Sequence, residues 1–126
     1  MAITQIELAT PAGLFAYTDT AMGNSADAIK ASSAKVYSVF VDNSANIAAT
    51  YVKLFNLAGG SVVVGTTAPD EIIYVPAGVV IEQFFFTGAA PGKTFGTALS
   101  AFAVTTGGTA GSTSPSSSAI VTVNYV

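Results

Sequence analysis

KVYSVFVDN, residues 35–43, decides the class of fold. It is dense in β-branched and aromatic residues, which suit a pleated, half-buried surface and lose rotamer freedom in a helix. With a period of two, Tyr37, Val39 and Val41 fall on one face and Val36 and Phe40 on the other. A strand that is apolar on both faces must be covered twice.

The same character recurs outward from this stretch. ATYVKLFNLAGG, residues 49–60, alternates Tyr51, Phe55 and Leu57 with Val52 and Leu54, and Gly59-Gly60 marks a turn. SVVVGT reads as the next short strand. EIIYV, Pro76-Ala77-Gly78 and VVIEQFFF read as two strands about a tight turn. TALSAFAVT and the closing AIVTVNYV complete the series. Turn signals every eight to twelve residues or so are the cadence of a sandwich or barrel. No helical period is sustained. The expected fold is an all-β, antiparallel, jelly-roll-like sandwich over residues 34–126, preceded by an N-terminal arm or lead-in over residues 1–33. TTGGTAGSTSPSSS, residues 105–118, is an uncharged loop joining the last two strands.

Residues 1–33 are small and polar between apolar points. Ile3, Ile6, Leu8, Leu14, Phe15 and Tyr17 are spaced as anchors, more than a disordered tail carries. They are expected to tie the arm to a neighbouring chain or to a larger assembly, since a strand added to another sheet edge gains main-chain hydrogen bonds.

Composition narrows the chemistry. The chain has 126 residues, 51% hydrophobic and only 9% charged, whereas ordinary soluble domains are roughly 25% charged. Much of its surface is therefore expected to meet other chains. The apolar runs are too short for a spanning helix and too few for an outer-membrane barrel, and MAITQIE carries an acid where a signal peptide needs a base, so no membrane partner is expected. No Cys, His or Arg is present. Thiol chemistry, histidine bases and the common metal sites are excluded, and no cofactor or metal is expected. The four lysines, Lys30, Lys35, Lys53 and Lys93, against a net charge of −3 leave no basic patch for nucleic acid.

Motifs with catalytic overtones dissolve on inspection. GAAPGKTFG, residues 88–96, contains Gly92-Lys93-Thr94, but a phosphate loop needs Gly five residues before Gly92, where Thr87 stands. A Pro-Gly loop between strands is the expected role. Asp19-Thr20-Ala21 departs from the aspartic-protease triplet at its third position. Asp70 and Glu71 are adjacent and point apart in a strand. Glu82 sits in an apolar strand, either exposed or paired with Lys53 or Lys35 across an interface. No activating base accompanies the many Ser and Thr hydroxyls. No enzyme is expected.

From Lys35 to Gly111 the chain resembles the head decoration, or cement, proteins of tailed bacteriophages, cyanophages among them. VFVDNSAN, YVKLFN, VVVGTTAPDEIIYVPAG and TALSAFAVTTGGTAG carry the likeness. The resemblance implies a jelly-roll-like sandwich, a homotrimer, and the major capsid protein as partner on the outer capsid surface of a virion assembled in the host cytoplasm. A trimer seam through Tyr51, Phe55 and Phe85 is expected with it. The alternative is a phage fibre or tail-associated carbohydrate-binding sandwich module, with an aromatic platform beside loop residues such as Asp42, Asn43 and Asn46.

Overall fold

The computed structural model describes residues 13–126. Ile3, Ile6 and Leu8 lie outside the described residues. Eleven strands follow in chain order: β1 Phe15–Asp19, β2 Asp27–Lys30, β3 Ala34–Asp42, β4 Thr50–Phe55, β5 Glu71–Val75, β6 Val80–Phe84, β7 Phe86–Thr87, β8 Ala90–Pro91, β9 Lys93–Phe95, β10 Leu99–Val104 and β11 Ile120–Tyr125. One sheet has the order β1-β11-β3-β6, with β9 also on β3. The other has the order β2-β10-β4-β5. All pairings are antiparallel, with β1 on β11, β2 on β10, β3 on β6 and β4 on β5. The first half of the chain thus folds back on the second as one long rolled hairpin, which is a jelly roll. The short hairpin β7–β8 lies between β6 and β9.

The sandwich therefore begins at β1, not at residue 34. Residues 15–19 and 27–30 give each sheet an outer strand, because their main-chain groups complete ladders on β11 and β10. Leu14 and Phe15 are exposed on this chain, and Tyr17 packs against the core of its own sandwich.

The core lies between the sheets. Val36, Val39 and Val41 of β3 and Val121 and Val123 of β11 meet Val52 and Leu54 of β4, Ile73 and Val75 of β5, and Leu99, Ala101 and Ala103 of β10. Simple alternation would put Val36 opposite to Val39. The pairing of β3 with β11 slips by one residue between Asn124↔Ser38 and Tyr125↔Val36, so Tyr37 is an extra residue. This bulge turns Val36 back to the core side and Tyr37 out.

Two expected strand features also resolve differently. EIIYV and VVIEQFFF do not form a hairpin. Pro76–Val79 carries the chain from β5 in one sheet to β6 in the other. SVVVGT is no strand. After a 3-10 turn at Gly59–Ser61, Val62 and Val64 pack on Phe55 and Phe102, outside the second sheet. They form a lid.

That lid answers the two-faced strands. β10 is buried along its whole length. Its outward Phe102 and Val104 join Phe55 in a second apolar cluster beneath Ala26, Leu57, Val62 and Val64. Phe55 and Phe102 stack with ring centroids 5.0 Å apart. The loop 105–118 closes the rest. Gly107 lies so close to Tyr51 that a Cβ there would sit 2.8 Å from the ring. Lys53, wholly buried, donates from Nζ to the carbonyl of Ala110 at 2.9 Å and lies 5.7 Å from the Phe102 ring centroid. Its own chain, not a neighbour, covers this face.

Burial without a carboxylate partner pulls the Lys53 ammonium below its ordinary pKa. The aliphatic stem is what fills the layer. Replacing the charge while keeping the stem, as Lys53→Met, is expected to leave stability within about 1 kcal/mol of the parent or raise it. Lys53→Ala is expected to cost about 2 kcal/mol or more through the void. Urea midpoints of the two variants check this. Equal losses would mean that the bond to Ala110, rather than the stem, holds the loop down.

Candidate functional site

Each open side of the sandwich is tied between its sheets by one polar pair. On one side Tyr17 of β1 donates its hydroxyl to Oδ2 of Asp27 of β2 at 3.0 Å. On the other Lys93 of β9 meets Oε2 of Glu71 of β5 at 2.6 Å and donates to the carbonyl of Asp70 at 2.9 Å. The lysine of the phosphate-loop-like GAAPGKTFG is thus a bracket between sheets, and strand β9 stands where that motif needs a helix.

Asp27 lies beside Asp19 where β2 approaches β1. Burial, then the hydrogen bond and charge of Asp19, push Asp27 up from 3.8 to about 6, against the pull of the Tyr17 hydroxyl. Burial, then its hydrogen bond to Asp27, push Tyr17 up to about 12. Asp19 Oδ1 accepts the Ala21 amide at 2.8 Å, turning the chain out of β1. Asp27 joins β2 to β1 through Tyr17, and Asp19 holds the turn that follows β1. Neither lines the hollow nearby, a space of about 270 Å³ bounded by Ala21–Gly23 and Ser114–Ser118, which holds no titratable side chain.

At one end of the sandwich a buried polar knot replaces the expected sugar-binding loop. Asn43 Nδ2 donates to the carbonyls of Ala48, Val75 and Pro76, and its Oδ1 accepts from Asn46 Nδ2 and from Thr50 Oγ1 at 2.7 Å. Asn46 Oδ1 takes the Ser117 amide at 2.8 Å. Asn43 and Asn46 are buried. Their polar groups hold three loops together and offer nothing to a sugar. Asp42 is exposed, but it caps Ser44 through the amide and the hydroxyl, which hold its carboxyl below the ordinary range.

The expected trimer seam does not hold as a unit. Phe55 has 0% exposure and Phe85 8%, both inside a single chain, so they present no surface to a neighbour. Tyr51 is half-buried under Gly107 and beside Tyr74, with ring centroids 5.3 Å apart. Glu82 is exposed on the outer face of β6 opposite Phe40, while Lys53 belongs to the other sheet.

Much of the apolar surface left open lies along the sheet edges, while Ile47, 94% exposed, and Val63 stand out in loops. Of the large exposed hydrophobics, Ile72, Tyr74, Val80, Phe84 and Phe86 all fall on the β5/β6 side, with Phe84 56% and Phe86 66% exposed. Leu14 and Phe15 are exposed at the β1 side. Pairing stops at β1 on one flank and at β6 and β9 on the other flank of one sheet, and at β2 and β5 in the other. Neither β1 nor β6 contains the proline or lysine that commonly blunts an edge. Sequence reasoning missed this arrangement because it places β5 and β6 in one hairpin.

Among the described residues no helix is long and apolar enough to cross a membrane, and no three acidic side chains gather as metal ligands. No protein-family model matches the chain. No curated protein and no solved structure matches it either.

The Asp27 shift has a definite sign. Its folded pKa lies above its ordinary value, so the folded state keeps a proton that the unfolded state releases between about pH 4 and 6. The stabilising contribution is present below that window and is lost as pH rises through it. Asp27→Asn, which still offers Tyr17 an oxygen, is expected to melt above the parent at pH 7, with the gap closing towards pH 4. Melting curves at unit pH steps check this. A gap that does not change with pH would show that Asp27 carries no such proton.

Proposed function

We propose that this chain is a viral structural protein: a capsid decoration protein that assembles as a trimer and docks on the outer surface of a bacteriophage shell, with the major capsid protein as its partner. The observation that carries this reading is the pairing of a self-sealed jelly roll with two open, apolar sheet edges. The outer face of the second sheet is closed by the chain's own loops. The polar clusters are all spent on holding strands and loops together. The unsatisfied surface is edge backbone and exposed Phe, Val and Leu, which call for a protein partner rather than a substrate. The likeness of residues 35–111 to cement proteins supports the same reading.

Cementing needs no chemistry on this chain. A protein that binds only the assembled shell stabilises that shell by linkage, in proportion to its affinity and free concentration. Uncharged Ser, Thr and Gly loops suit such a role, since they add no charge repulsion between copies set close together. The carbohydrate-binding alternative draws less support, because Asn43 and Asn46 are buried in the loop knot.

Assembled, DNA-filled shells that lack their decoration layer are the direct test. The purified chain is expected to co-sediment with them at saturable occupancy, not to bind the unassembled capsid subunit, and to raise the temperature at which the shells release DNA. Failure to bind mature shells would overturn the proposal.

A further inference from the structure

We infer that copies of this chain join edge to edge, with the free edge of β6 on one copy pairing antiparallel with the free edge of β1 on the next. The partner is a second copy, and the contact is heterologous: two different edges of the same sheet meet.

The backbone sets the first condition. Phe85 N–H donates to the carbonyl of Tyr37 at 3.0 Å, and Asn43 N–H to that of Val79 at 2.9 Å. In an antiparallel ladder the bonding residues alternate. Hence Ile81 and Gln83 bond to β3, and the N–H and C=O of Val80, Glu82 and Phe84 face away from the sheet. On the other flank Val126 and Lys35 exchange both their bonds at 3.0 Å. By the same alternation Tyr125, Val123 and Val121 bond to their partners Phe15, Tyr17 and Asp19. Ala16 and Thr18 then turn their N–H and C=O outward. No described strand takes up either row, though Gln83 Nε2 donates to the Phe84 carbonyl at 3.0 Å and gives up that exposed bond when a neighbouring strand docks.

Direction is the second condition. Three antiparallel steps separate β1 from β6 along the order β1-β11-β3-β6, so the two edge strands run in opposite senses. A copy related by rotation about an axis along the strands therefore brings its β1 antiparallel to β6. The sheet continues from one copy into the next.

Side chains supply the third. Val80, Glu82 and Phe84 share the outer face with Phe40, as Ala16 and Thr18 share it with Asn124 and Thr122. A register that sets Phe84 beside Ala16 and Glu82 beside Thr18 places a large ring over a methyl and a hydroxyl donor next to a carboxylate. Thr18 already lies 2.9 Å from the hydroxyl of Thr122. Continued outward, the register brings Leu14 towards Phe86, two exposed apolar residues. Self-pairing is poorer. β6 fully overlapped on β6 sets Glu82 against Glu82, and directly opposed like charges destabilise a sheet. β1 on β1 leaves Phe84 and Phe86 in water.

A heterologous contact closes into a ring or grows into a filament. Closure at three copies rests on the function proposed above, whereas the edge contact does not. The chain has no cysteine, so disulfide trapping is clean. Residues exchanging both bonds across an antiparallel pair lie about 5.5 Å apart at Cα, within disulfide span. The Ala16→Cys/Phe84→Cys variant, oxidised in full-length protein, is expected to give covalently linked multimers that neither single variant gives. Glu82→Pro, which removes an N–H that β3 does not use, is expected to reduce the assembled mass by light scattering to that of one chain, 12.6 kDa, with the melting temperature of the single sandwich little changed. Absence of double-variant multimers, a parent that is monomeric at every concentration, or ready dimerisation of Glu82→Cys alone would each overturn the edge contact. Linked multimers of a mass other than three chains would uphold it and remove the trimer instead.

Discussion

Strand β10 has no polar face, and the chain must therefore cover it twice. LSAFAV alternates Leu99, Ala101 and Ala103 towards the first sheet with Phe102 and Val104 away from it, and every residue is buried. The sandwich supplies the first cover. The second comes from two segments outside the sheets, the valine run after Gly59-Gly60 and the Ser/Thr/Gly loop before β11. Lys53 fixes the second of these. Its stem lies among the apolar rings, and its ammonium reaches the Ala110 carbonyl from below. A charged donor under a backbone loop holds that loop by one of its own carbonyls, which would otherwise face water without order.

The cadence of strands was legible because it rests on turn chemistry and period-two patterning, both local. Which strands share a sheet was not. Pro76–Val79 reads like a hairpin turn, yet it carries the chain between sheets, and only the pairing of β3 with β6 and of β4 with β5 reveals it. The bulge at Tyr37 is likewise silent in sequence, and it reverses the face of Val36 relative to Val39. Two-faced apolarity was correctly a sign of double coverage, but it does not say by what. Val62 and Val64 have the composition of a strand and serve as a lid. Phe55, expected at a subunit seam, lies under that lid.

The polar residues divide by burial in a way their spacing does not announce. Asn43 and Asn46 look like loop-tip ligands, and they are the interior fastening of three loops. Asp27 looks like an ordinary surface acid in DAIK, but it is held beside Asp19 under Tyr17 where the two sheets approach. Such assignments need distances across about 10 to 70 residues of chain, as in Tyr17 with Asp27 or Asn46 with Ser117. No period or motif encodes them.

Low charge then has a consequence for assembly. Of the four lysines, Lys53 is buried and Lys93 is paired with Glu71, so few cations remain to keep copies apart or to guard a strand edge. Natural sheet proteins that stay monomeric usually place lysine, proline or a bulge on such an edge. Here one bulge lies on the central strand β3, where it serves the core, and a second at the edge strand β2, which also ends in Lys30; the outer strands β1 and β6 of the other sheet have neither lysine nor proline. Solubility falls to hydroxyl-rich loops at the ends of the sandwich, where Ile47 is an exposed apolar exception, while the flanks keep Phe, Val and Leu. Attraction along the flanks with neutrality at the ends favours lateral association over stacking. The edge-to-edge contact proposed above is of this lateral kind.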